Sequence, residues 1–124
     1  MMKRIEGAAP AIGPYSAGVA AGGFVFVSGQ LPADENGRFP TGITAQAEQC
    51  IRNVKAVLEA GGSDLSHVVK TTIYLRSMND FAAVNEVYAQ HFCGEVLPAR
   101  ACIQVAALPK NAPIEIEAIG LVVN

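Results

Sequence analysis

Apolar and polar residues alternate along this chain with a period that changes several times, and each change marks an element. Phe24-Val25-Phe26-Val27-Ser28 is a short aromatic and β-branched run, which suits a buried strand ended by Gly29. Ala17 to Ala20 reads as its partner strand, across a Gly22-Gly23 turn. From Thr44 to Ala60 the spacing becomes helical: Ala47, Ile51, Val54, Val57 and Leu58 share one face, and Glu48, Arg52, Lys55 and Glu59 take the other. Glu48–Arg52 and Lys55–Glu59 are oppositely charged pairs one turn apart, and Gly61-Gly62 supplies the stop. His67 to Leu75 is strand-like again, with Val69, Thr71, Ile73 and Leu75 on one side. Asn79 is placed to cap a second helix with Asp80 in its first turn, and Phe81, Val84, Tyr88 and Phe92 form its apolar stripe. Two strands, Ala99 to Val105 and Pro113 to Val123, finish the chain. The proline- and glycine-rich stretch from Ala8 to Ser16, and the segment from Pro32 to Thr41 with Asn36-Gly37 and Pro40, read as loops. The order β-β-α-β-α-β-β predicts one α+β domain over residues 1–124, a mixed β-sheet with two helices on one face. A dinucleotide fold is excluded because no glycine-rich loop joins a strand to a helix.

Composition narrows the function classes. With 124 residues, 51% of them hydrophobic, and a net charge of −2, the chain has the means to bury one core and is not disordered. The nine Lys+Arg residues are scattered and the pI is about 5.6, which argues against a nucleic-acid surface. The charged share, 16%, is below the roughly 25% usual for soluble domains, so part of the surface is expected to lie against another copy. Cys50, Cys93 and Cys102 are odd in number and form no CxxC pair, which suggests neither a disulfide framework nor a zinc site and fits a reducing compartment. His67 and His91 stand in no metal-binding spacing, so no metal is expected. Met1-Met2-Lys3-Arg4 is followed by Glu6, Pro10, Gly13 and Pro14, which leaves no room for a secretory apolar core. The expected address is the cytoplasm, with neither nucleic acid nor membrane as partner.

Strand alternation sorts the candidate chemistry. Arg100, Cys102 and Gln104 share one face of their strand, while Ala101, Ile103 and Val105 share the other, which reads as the core side. Glu115, Glu117, Ile119, Leu121 and Val123 share a face of the last strand, so Glu117 is a carboxylate on a mostly apolar strip. Burying an ionised acid costs on the order of several kcal/mol unless it is paired. Glu117 therefore needs water at an edge, a partner such as Arg100, or a role in proton exchange. Arg100 is either a strand arginine reaching solvent or a planar donor for a carboxylate, to which it offers two parallel N–H groups. Cys102 has no histidine placed to activate it and reads as packing. Tyr15 covers a pocket or anchors its loop. Ser28 ends a strand, where a hydroxyl and free N–H groups can face a ligand, but no GxSxG elbow surrounds it.

Ala11-Ile12-Gly13-Pro14-Tyr15-Ser16, Val27-Ser28-Gly29-Gln30, Asn53 to Gly61, Asn79-Asp80-Phe81 with Val84-Asn85, Pro98-Ala99-Arg100 and Ile114-Glu115-Ile116-Glu117-Ala118 occur together in this order. With these segments the chain closely resembles the RidA (YjgF) family of reactive intermediate deaminases from about residue 3 to 123. The resemblance implies a chorismate-mutase-like α+β fold and a homotrimer with three clefts between subunits. It implies hydrolysis of reactive 2-imino acids and their enamine tautomers, such as 2-aminoacrylate, to 2-oxo acids and ammonia, without a cofactor. Carried onto this sequence, it makes Arg100 the grip on the substrate carboxylate and Glu117 the acid that positions or deprotonates the attacking water. It makes Cys102 a cleft residue acting through its backbone, and Tyr15, Ser28, Gly29 and Asn85 the rest of the cleft wall. Three other readings stand beside it: a non-catalytic protein that binds small carboxylates and regulates a partner, a ribonuclease or translation inhibitor, and a holdase chaperone. The acidic pI and the lack of a basic patch weigh against the ribonuclease.

Overall fold

The computed structural model describes residues 1–7 and 11–123. Six strands, β1 (Lys3–Ile5), β2 (Gly18–Ala21), β3 (Phe24–Gln30), β4 (Val68–Leu75), β5 (Ala99–Gln104) and β6 (Ile114–Leu121), form one sheet in the order β1-β2-β3-β6-β4-β5. All neighbours are antiparallel except β4 and β5. A parallel pair cannot be closed by a tight turn, and here α2 (Phe81–His91) makes the crossover, while α1 (Ile43–Ala60) joins β3 to β4. The β2–β3 hairpin turns on Gly22 and Gly23, at φ 59° and 84°, the left-handed pair that lets a two-residue turn follow the strand twist.

Both helices cover the same face of the sheet. The stripe predicted for α1 is the one buried, with Ala47, Cys50, Ile51, Val54, Val57 and Leu58 packed on Val25, Val27, Ile73, Ile114 and Ile116. Each such aliphatic side chain contributes about 1.5–3 kcal/mol when removed from water. The helices approach the strands closely where glycine permits: a Cβ on Gly18 would meet Val57 Cγ1 at 2.5 Å, and one on Gly120 would meet Leu58 Cδ2 at 2.8 Å. Along β6 the side chains alternate cleanly, with Ile114, Ile116 and Ala118 buried under the helices and Glu115, Glu117 and Ile119 on the other face.

Several expectations are corrected. A strand at Lys3–Ile5 goes unforeseen, because three residues are too short to show a period and their structure comes from pairing with β2. Strand β3 continues through Gly29 to Gln30, across an irregularity in its pairing with β6. The cap before the second helix is Ser77, whose hydroxyl accepts from the Asn79 N–H at 3.2 Å; Asn79 itself lies in a 3-10 turn, Met78–Asp80, ahead of α2. Val69 is exposed and Val68 buried, because a shift in the β4–β6 register between Val68 and Lys70 reverses the alternation there. Glu48 does not serve Arg52; its carboxylate meets His91 Nε2 and ties α1 to the end of α2. The loop expected over residues 8–16 lies partly outside the described residues, and Ile12 to Ser16 is without regular structure, as expected. The largest reversal concerns β5. Ala101 is exposed and Ile103 is 46% exposed, whereas Cys102 packs against the core. The helices cover the face of Arg100 and Cys102, so the apolar side of this strand is the open one.

Candidate functional site

The sequence-predicted residues fall into three groups. The first is built on β5. Its parallel register places Arg100 beside Thr71 and Cys102 beside Ile73, under α2. Arg100 Nη1 donates to Asn85 Oδ1 at 2.7 Å, and the guanidinium carbon lies 4.8 Å from the Tyr88 ring centre and 5.7 Å from that of Phe81. Asn85 and Tyr88 are one turn-spacing apart on α2, so one helix supplies both the hydrogen bond and the aromatic plate. Tyr88 is itself fixed by a 2.7 Å hydrogen bond between its hydroxyl and Thr71 Oγ1, both buried. Arg100 is exposed and, among the described residues, takes part in no ion pair. The group is a cation held on two sides with donors left over. Burial raises the Cys102 thiol above its ordinary value, opposed only in part by Arg100. It is a thiol at neutral pH, consistent with packing rather than nucleophilic attack.

The second group surrounds a cavity of about 100 Å³. Tyr15 and Gly29 line it, together with Gln30, Asn53 and Lys110. The Tyr15 hydroxyl accepts from the Ile12 N–H at 3.4 Å, so the ring pins its own loop. Ser28 Oγ donates to the Ser16 carbonyl at 2.6 Å and ties that loop to β3. Sequence reasoning missed Asn53, whose amide donates to the carbonyls of Leu31 and Ala33 at 2.9 and 2.8 Å and shapes the wall. Asparagine in the middle of a helix, on the edge of an apolar stripe, is the signal that could have found it. It also missed Lys110, which stands at φ 55°. Glu115 completes this neighbourhood: a Cβ on Gly29 would lie 2.7 Å from its carboxyl carbon. Burial, and secondarily Glu117, push the Glu115 carboxyl above the ordinary range.

The third group lies on the open face of the sheet. Glu117 stands directly across from Thr72 on β4, and its Oε1 accepts a hydrogen bond from the Tyr74 hydroxyl. That bond, then burial, then Glu117's charge, push the Tyr74 hydroxyl up to about 12. Lys70 Nζ donates to Thr72 Oγ1 at 2.8 Å. A hollow of about 340 Å³ is lined by Lys70, Thr72, Glu117, Phe26 and Ile119.

Arg100 joins Asn85 and Cys102, and Tyr15 joins Gly29, but Arg100 and Glu117 do not meet. Arg100 lies under α2 and Glu117 on the opposite face of the sheet, so the ion pair between them that the sequence left open does not form within one chain. Among the described residues no cluster of three or more His, Cys, Asp or Glu could hold a metal, and no helix is long and apolar enough to cross a membrane.

Comparison with known proteins finds relatives along nearly the whole chain. The family model described as Endoribonuclease L-PSP matches residues 6–122. A RutC family protein of Pyrococcus horikoshii is 51% identical over 117 residues, covering 93% of this chain and 92% of its own. The 2-iminobutanoate/2-iminopropanoate deaminase of Escherichia coli K12 is 45% identical over 119 residues, covering 94% of this chain and 93% of its own. The crystal structure of E. coli TdcF with bound serine superposes with a TM-score of 0.91 at 43% identity, covering 98% of this chain and 99% of that one. By its residues, its fold and these relatives, the chain belongs to the Endoribonuclease L-PSP family, the RidA (YjgF) group of proteins.

Proposed function

We propose that this protein hydrolyses small 2-imino acids and their enamine tautomers (2-aminoacrylate, 2-iminopropanoate and 2-iminobutanoate) to 2-oxo acids and ammonia. The observation that carries this reading is the exposed Arg100 guanidinium, held by Asn85 and set over the Tyr88 ring with no carboxylate of its own among the described residues. A planar cation with donors to spare suits a planar carboxylate, which it binds through two parallel charge-assisted hydrogen bonds. The relative with bound serine is a small carboxylate complex in the same fold, and the E. coli relative carries the deaminase name.

The chemistry asks little of the protein. A protonated imine carbon is already electrophilic, so catalysis reduces to holding the substrate, placing one water and moving protons. Arg100 grips the carboxylate, and Glu117 accepts a proton from water as its oxygen adds to the C=N carbon. Glu117 passes that proton to nitrogen and then takes the proton of the new hydroxyl as the C=O bond forms and the C–N bond breaks, so that ammonia leaves with the 2-oxo acid behind. Tyr15, Ser28, Gly29 and Asn85 form the wall, and Cys102 contributes its backbone. Because Arg100 and Glu117 face opposite ways in one chain, the working site joins them from neighbouring copies in a homotrimer. These roles require only side chains and water, with no cofactor.

The test couples the protein to a threonine dehydratase that releases 2-iminobutanoate, with semicarbazide competing for the imine. Faster formation of 2-oxobutanoate with the protein present supports hydrolysis. Binding of 2-oxobutanoate without acceleration gives instead a non-catalytic carboxylate-binding protein.

A further inference from the structure

Tyr74 is absent from the residues that the sequence brings forward, yet it touches the carboxylate on which the proposed chemistry turns. On β4 it stands directly across from Glu115, two pairs along from Thr72 and Glu117 and on the same face, and its hydroxyl reaches diagonally to Glu117 Oε1. An ionised carboxylate only accepts, so tyrosine is the donor. Besides Glu115, the other groups around Glu117 are already engaged or apolar. Lys70 gives its ammonium to Thr72 Oγ1 at 2.8 Å and to the Thr71 carbonyl at 3.0 Å. Strand β3 brings no charged residue to this face, and β6 adds only Glu115. Glu117 thus has one oxygen tied by Tyr74, and it borders the hollow shared with Lys70 and Thr72.

We propose that Tyr74 is a positioning residue for imine hydrolysis: its hydroxyl holds one oxygen of Glu117 and leaves the other to receive the proton of the attacking water. This rests on the role given to Glu117 above. A fixed carboxylate keeps its free oxygen aimed at the water, which acts on turnover more than on substrate binding. Because the Tyr74 hydroxyl is pushed up to about 12, it remains a donor across the neutral range.

The experiment measures imine clearance by the full chain as wild type, Tyr74→Phe, Glu117→Gln and the double variant, with kcat and KM resolved across pH. Expected for Tyr74→Phe is a loss of roughly tenfold in kcat with KM little changed, the scale of one hydrogen bond to a charged group. The substitution costs nothing further on Glu117→Gln. The proposal is overturned if Tyr74→Phe leaves kcat unchanged while Glu117→Gln collapses activity; hydrolysis by this site then stands without it. It is equally overturned if the two losses simply multiply, which marks a structural effect of the ring position. Wild-type clearance by Glu117→Gln removes the role of Glu117 itself, and this proposal with it.

Discussion

A guanidinium set over an aromatic ring and hydrogen-bonded to an amide is restrained before any ligand arrives, and that is the condition of Arg100 between Tyr88 and Asn85. Its geometry matters as much as its charge. Arg100→Ala should bring imine clearance down to the uncatalysed background with the thermal midpoint unchanged. Arg100→Lys should recover little of the rate, because an ammonium cannot present two parallel donors. Coupled assays on both variants check this, and a lysine variant near wild-type rate would show that only charge is needed. Glu115 makes a different residue-scale point. Burial first, and then Glu117, disfavour its charged form, so its carboxyl is held above the ordinary range. A raised acid contributes its stability below the ordinary carboxylate range and loses it as pH climbs through the folded value. Glu115→Gln should therefore raise the thermal midpoint relative to wild type at neutral pH, with the gain vanishing near about pH 4. Melting curves across pH measure it; a gain that grows towards acid would have the opposite sign and refute the cause given.

At the scale of elements, α2 and β4 are joined by a polar bond inside an apolar layer. Thr71 and Tyr88 are buried, and their hydroxyls satisfy each other at 2.7 Å. Removing one partner strands the other away from water. Thr71→Val and Tyr88→Phe should each cost about 1–3 kcal/mol, and the double variant should cost clearly less than their sum, because no polar group is then left alone. Urea unfolding of the four proteins reads the coupling, and strict additivity would sink it. The same bond explains why the arginine group is orderly: β4 fixes Tyr88, Tyr88 carries Arg100, and Asn85 one turn earlier takes its Nη1.

At the scale of the molecule, two helices cover one sheet face and leave the other bare. Phe24, Phe26, Ile103 and Leu121 are exposed on that bare face, with Phe24 and Phe26 rings 6.2 Å apart and Leu121 paired opposite Phe24. Apolar side chains gathered beside Glu117 and Tyr74 form the kind of patch that marks an association surface. In solution the protein is expected to scatter light as three copies of the 12.9 kDa chain. Phe26→Glu should shift the mass towards one copy and abolish clearance at the same time, because a lone chain keeps Arg100 and Glu117 apart. An assembly that survives Phe26→Glu with full activity would place the contact elsewhere.

Much of this was legible in the order of residues. The period of Ala47, Ile51, Val54 and Leu58 located α1 and its buried stripe, and alternation correctly grouped Glu115 with Glu117 and Arg100 with Cys102. Local rules suffice there, because helix and strand periods act over neighbouring residues. The Pro98-Ala99-Arg100 and Ile114 to Ala118 segments pointed to the family that the comparisons then showed. Alternation says which residues share a face but not which face is covered. Only the α2 crossover decided that Cys102 goes inward and Ile103 outward, and that Arg100 and Glu117 part company. Likewise the Tyr74–Glu117 bond joins residues far apart in sequence, and it exists because β4 and β6 are paired in one register. Periodicity is a property of short stretches, whereas the side of a sheet that meets helices, and the partner across a ladder, are set by the path of the whole chain.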